Sequence, residues 1–127
     1  MKVNGRLAVD TNAVIAYREG ILAVCSLIEG ADILFLPVVV LGELLYGALN
    51  SAKPQKNEQA VHKFLAQSVL VPIDEAIAIR YATVRLKLKK TGHPVGATCL
   101  ELGVPLLTRD GHFDYIHGLE VINWEEL

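Results

Sequence analysis

Leu7-Ala8-Val9-Asp10-Thr11-Asn12-Ala13-Val14-Ile15-Ala16-Tyr17 places an acid at the joint between an apolar run and an apolar, helix-spaced segment. Three consecutive apolar residues without alternation describe a strand covered on both faces. Thr11 and Asn12 are of capping type and predict a helix through Ala13–Tyr17. Gly20 breaks that helix, and Ile21–Ile28 reads as a second one ending at Gly30. The pattern then repeats. Ile33–Leu36 is a second strand, closed by Pro37, and Val38–Asn50 a helix with Leu41, Leu44, Leu45 and Leu49 at helical spacing. Lys53–Asn57 reads as a polar connection and Glu58–Gln67 as a helix, before a third strand at Val69–Val71. Asp74 is an N-cap for a long helix from Glu75 to Lys90, ended by Gly92-His93-Pro94. Gly96–Leu102 is a short helix. Val104–Thr108 and Leu119–Ile122 are the fourth and fifth strands. Strands alternating with helices predict one α/β domain over residues 1–127: three layers, α/β/α, around a mostly parallel sheet of about five short strands.

The composition fits such a domain. The chain has 127 residues, 52% apolar and 20% charged, with a net charge of −2. This argues against disorder. A general nucleic-acid binder is strongly basic, so any RNA affinity has to come from local patches and metal ions. Cys25 and Cys99 lie apart in apolar segments and are expected to be buried reduced thiols, not a zinc site. No signal peptide is expected after Lys2. Glu43 and two glycines interrupt the longest apolar stretch, which is short of the ~20 residues a spanning helix needs. A cytoplasmic protein without membrane association is the expectation.

Three acids stand out by position. Asp10 follows the first strand directly, and Asp110 comes two residues after Thr108 at the end of the fourth. Strand carboxyl ends in a parallel sheet line the crevice where ligands bind, so the two face each other there if those strands are neighbours. Glu43 is the third, the only charge between Asp32 and Lys53, set in an apolar helix where it must reach water or find a partner. Taken singly, each has an ordinary explanation as a cap, a turn residue or a solvent-facing side chain. Together they describe clustered carboxylates, whose mutual repulsion a hard divalent cation, Mg²⁺ or Mn²⁺, relieves. Such an ion supports hydrolysis of a phosphodiester.

The opening stretch resembles the first motif of the PIN-domain family. Pro37-Val38-Val39-Val40-Leu41-Gly42-Glu43-Leu44-Leu45-Tyr46-Gly47 resembles its second motif, and Leu106-Leu107-Thr108-Arg109-Asp110-Gly111-His112-Phe113 its last. Gly118-Leu119-Glu120-Val121 continues in the same style. The similarity runs over nearly the whole chain and is nearest to the VapC-type toxins of toxin–antitoxin pairs. It implies a metal-dependent endoribonuclease acting on RNA, a homodimer inhibited by a small antitoxin. It also implies roles: Asp10, Glu43 and Asp110 as catalytic, metal-binding acids, with Asp114 a weaker candidate at the edge. Thr11 or Asn12 would support the first acid and Thr108 the last. One departure concerns another family acid, expected between a Gly-x-Pro turn and an Ala-Ala-Thr stretch. Here His93-Pro94-Val95 runs straight into Gly96-Ala97-Thr98, and the acid with its loop is missing between Val95 and Gly96.

Arg80, Arg85, Lys87, Lys89 and Lys90 crowd one helix; Arg85 and Lys89, four apart, share a face and are candidate RNA contacts, as is Arg109. The same charges also suit a plain solvated face. His62, His93, His112 and His117 show no metal-ligand spacing and suit surface or turn positions. Two rival functions remain open from the sequence. A catalytically impaired PIN-fold protein would act through antitoxin or partner binding. An aspartate-based phosphotransfer domain would use Asp10 as nucleophile, but the haloacid-dehalogenase pattern needs a second Asp where this chain has Asn12.

Overall fold

The computed structural model describes residues 5–88 and 94–127. Five strands form one sheet: β1 (Arg6–Val9), β2 (Ile33–Pro37), β3 (Val69–Val71), β4 (Leu106–Leu107) and β5 (Val121–Ile122). Their order is β3-β2-β1-β4-β5, and every pairing is parallel. Among the described residues there are six α-helices: α1 (Thr11–Arg18), α2 (Leu22–Glu29), α3 (Val38–Leu49), α4 (Pro54–Ala66), α5 (Glu75–Lys87) and α6 (Pro94–Leu102). Two 3₁₀ turns, Gly111–Tyr115 and Trp124–Glu126, were not foreseen. The expected α/β class with a parallel sheet is what the chain adopts.

The order explains the layers. From β1 the chain moves outward through β2 to β3, then returns across β1 to β4 and β5. With this order, the right-handed crossover rule assigns α1–α4 to one face of the sheet and, after the reversal, α5 and α6 to the other. β1 lies in the middle and is covered on both sides: Leu7, Ala8 and Val9 are all 0% exposed. This is why its sequence is apolar without alternation. Leu36, Leu106 and Leu107 are sealed in the same way, each such burial contributing about 1.5–3 kcal/mol.

Element boundaries depart from expectation where a polar residue starts a helix. α1 begins at Thr11, because Asp10 itself is the N-cap and its Oδ1 accepts from the Ala13 N–H at 2.8 Å; Thr11 and Asn12 lie inside the helix. The stretch Lys53–Asn57, expected as a connection, is mostly the first turn of α4. Pro54 sits at its N1 position, where its missing N–H costs nothing and its fixed φ suits the helix. α6 starts at Pro94, two residues before the expected Gly96. β4 and β5 are shorter than expected, at two residues each. Asp74 caps α5 as anticipated, accepting from the Ile77 N–H at 2.9 Å. The expected end of α5 at Lys90 and its Gly92-His93 stop lie outside the described residues. Between α1 and α2, Gly20 has φ +79°, a left-handed turn that a side chain would strain. No single helix among the described residues is long and apolar enough to cross a membrane.

Candidate active site

β1 and β4 are hydrogen-bonded neighbours, with Val9 opposite Leu107. They flank the point where the strand order reverses, so a crevice opens at their carboxyl ends. Asp10 is the residue after β1. Asp110 follows β4 by three residues and begins the 3₁₀ turn Gly111–Tyr115, accepting from the His112 N–H at 2.9 Å. Both therefore serve as caps and still stand at the switch point.

Thr108 ties the two strand ends together. It is fully buried. Its hydroxyl donates to Asp10 Oδ2 and accepts from the Asp110 N–H at 3.0 Å. The expected support for the last acid thus reaches Asp110 through its backbone and Asp10 through its carboxylate. Thr11, offered by the resemblance together with Asn12 as support for the first acid, is bonded to a different one. Its hydroxyl donates to Glu43 Oε1 at 2.9 Å, fixing the α3 acid against the first turn of α1. Asn12 is exposed beside it.

Asp10 is 7% exposed. Burial raises its pKa first, and the charges of Asp110 and Glu43 raise it further. The bonds from Thr108 and Ala13 oppose this without cancelling it. The three acids are thus close enough to act on one another. Among the described residues neither Asp10 nor Glu43 is paired with a lysine or arginine. Yet no three of the described His, Cys, Asp and Glu residues close around a single point as a metal cage. Asp10 and Asp110 already spend carboxylate oxygens on backbone amides. An all-oxygen set whose buried member, Asp10, has no lysine or arginine partner among the described residues fits a hard divalent ion bound through one or two carboxylates and water, as Mg²⁺ prefers.

The remaining candidates disperse. Asp114 lies exposed in the 3₁₀ turn, and the charges acting on Asp10 do not include it. Arg109 reaches Glu125 at 3.7 Å across an exposed pair. Arg85 donates to the Tyr81 hydroxyl at 3.0 Å on α5. Lys89 lies outside the described residues. The first turn of α6, Pro94–Thr98, contributes no acid. Glu101 further along pairs with Arg80 at 3.2 Å on α5. One residue escaped the sequence reading: His112 Nδ1 is 2.8 Å from Asp110 Oδ1. A histidine two positions after an acid in a tight turn was the available signal.

An all-parallel α/β sheet with acids at its switch point defines a class of fold. The PIN domain model matches residues 7–119, and the chain belongs to the PIN domain family. It is similar to the tRNA(fMet)-specific endonucleases VapC of Shigella flexneri and Salmonella typhimurium. Each is 28% identical over 94 residues, covering 68% of this chain and 71% of theirs. Its fold is shared with VapBC-1 from nontypeable Haemophilus influenzae, with a TM-score of 0.81 at 19% identity. That match covers 94% of this chain and 98% of the other. DNA-bound VapBC from Salmonella typhimurium gives 0.80 at 21% identity with the same coverage, and FitAcB from Neisseria gonorrhoeae 0.73 at 23%, covering 95% and 99%.

Proposed function

We propose that this PIN-family chain is a metal-dependent endoribonuclease, the toxin of a toxin–antitoxin pair, held in check by a small antitoxin and acting as a homodimer. The observation that carries the nuclease reading is the buried carboxylate of Asp10 at the switch point. Asp10 is buried, its pKa raised first by that burial and then by the charges of Asp110 and Glu43, and it is paired with no described lysine or arginine. An unpaired buried carboxylate is costly, and a divalent ion at this edge removes the cost. The similarity to VapC endonucleases and to toxin–antitoxin complexes supports the substrate class and the antitoxin.

Asp10 and Asp110 would hold the ion, with Glu43 facing it from α3. A bound Mg²⁺ or Mn²⁺ supplies positive charge to the phosphodiester and acidifies an attacking water. The chain's own contribution is positioning. Thr108 fixes Asp10 relative to Asp110, Thr11 fixes Glu43, and His112 holds Asp110 from the solvent side.

The test is cleavage of RNA with Mg²⁺ or Mn²⁺, run beside calorimetric Mn²⁺ titration. Metal-dependent cleavage that disappears in Asp10→Asn and with chelator is the expected result. Cleavage that persists in Asp10→Asn refutes it. A second reading, a catalytically impaired partner-binding protein, is favoured by the missing acid before Gly96 and the absence of a closed three-acid cage among the described residues. Folded protein that neither binds Mn²⁺ nor cuts RNA selects that reading. The phosphotransfer alternative fits poorly, because both Asp10 oxygens are already engaged by Ala13 and Thr108.

A further inference from the structure

Glu43, one of the candidate carboxylates, stands at one end of a longer feature. A hollow of about 240 Å³ runs from Thr11 and Glu43 between α1 and α3, over Ile15 and Leu44, to Arg18 and Asn57. At 1.5 Å per residue, Arg18 lies about 10 Å along α1 from Thr11. Arg18 also borders a second hollow of about 220 Å³, shared with Tyr17, Lys63 and Phe64 on the α1–α4 seam.

The charges change sign along this path. It begins at Glu43 and continues to two cations, Arg18 and Lys63. Among the described residues no carboxylate pairs with Arg18 or Lys63. Among the described residues the one side-chain hydrogen bond of Arg18 is to the neutral Asn57 Oδ1, at 3.4 Å. The α5 cations that the sequence offered as candidates are differently placed. Arg80 is engaged by Glu101 and Arg85 by Tyr81. Between the two ends the floor is apolar, with Ile15 42% exposed.

We infer that the α1–α3–α4 seam is the binding track for single-stranded RNA. A phosphate next to the scissile one rests on Arg18, the following one approaches Lys63, and the intervening base and sugar cover Ile15 and Leu44. The inference rests on the nuclease reading for the identity of the strand. A negatively charged backbone is the ligand that suits both ends, metal-bridged to carboxylates at one and paired directly with unneutralised cations at the other. The apolar floor gives a base or sugar a surface to cover, chiefly Ile15.

The experiment measures binding separately from cleavage. A short fluorophore-labelled single-stranded RNA is titrated in chelator by anisotropy, at several salt concentrations, against the wild-type chain and Arg18→Ala, Lys63→Ala and Arg85→Ala. Circular dichroism confirms that each variant is folded. The expected result is about tenfold weaker binding for Arg18→Ala, with the salt slope reduced by about 1, a smaller loss for Lys63→Ala, and less than twofold for Arg85→Ala. Equal or greater loss in Arg85→Ala, or unchanged affinity in the Arg18→Ala Lys63→Ala double variant, overturns the track. So does a double variant that keeps RNA affinity but no longer holds a protein partner, which assigns the seam to protein docking. Cleavage assays with Mn²⁺ separate the two claims. RNA bound through Arg18 but never cut removes the nuclease reading and leaves the track, whereas cutting with unchanged KM in Arg18→Ala removes the track alone.

Discussion

Replacing Thr108 by valine removes a hydroxyl from a position with 0% exposure while keeping the side chain's shape. Two bonds disappear. The donation to Asp10 Oδ2 is a bond to a charged group, contributing about 1.5–3 kcal/mol, and the Asp110 N–H loses its acceptor, at about 1–3 kcal/mol. The two are not additive, because Asp10 can lessen its penalty by taking up a proton. The Thr108 bond is one of the influences holding its pKa down. The expected net cost at neutral pH is about 2–4 kcal/mol. For a chain of this length that lowers Tm by roughly 6–20 °C. Thr108→Ser keeps the hydroxyl and loses one methyl, for about 1 kcal/mol. The assay is thermal unfolding of both variants in metal-free buffer, repeated at acidic pH. There the valine penalty shrinks, since a protonated Asp10 no longer presents a buried charge. A valine variant no less stable than the serine variant at neutral pH would show that the hydroxyl bridge between the strand ends contributes nothing.

Asp10→Asn tests the electrostatics. The folded pKa of Asp10 is raised above 3.8, so its favourable contribution is complete below about pH 4 and is lost as pH rises through the folded value. In metal-free buffer the asparagine variant should gain stability relative to wild type as pH rises from 4 toward 7; a flat difference in Tm across that range contradicts the burial argument. Saturating Mn²⁺ should raise the Tm of the wild type more than that of Asp10→Asn, and equal shifts would place the ion elsewhere. At Gly96 an added Cβ would stand 2.6 Å from Ile116 Cδ1. That methyl is the far end of a flexible side chain and alanine suits α6 better than glycine, so Gly96→Ala should change stability by less than about 1 kcal/mol in urea unfolding; a loss of several kcal/mol would mean that Ile116 is held fixed. The Cys99 thiol is pushed up to about 12 by burial. At pH 8 the folded protein should give no more than one titratable thiol, Cys25, and both should react once it is unfolded; two fast thiols in the native state would contradict the packing of α6.

The helix nucleus at Val38–Leu49, the buried strand at β1 and the cap at Asp74 were legible because each depends on residues close in sequence. Runs of apolar residues, their spacing and adjacent polar residues carry that information locally. The start of α4 was misread because Lys53-Pro54-Gln55 looks like a turn until the proline is seen at N1. The three acids were likewise visible from position and resemblance, though not their distinct situations.

What the chain alone determined is the parallel α/β class and the placement of acids after strands, since side-chain periodicity and caps are properties of short segments. Only the tertiary structure decided that β4 lies beside β1. That pairing brings residues almost a hundred positions apart into one hydrogen-bonded bridge through Thr108. It also decided that Thr11 serves Glu43 and that Arg85 is turned to Tyr81. Strand order and side-chain pairing across elements are set by packing the whole core at once, and no local stretch encodes them.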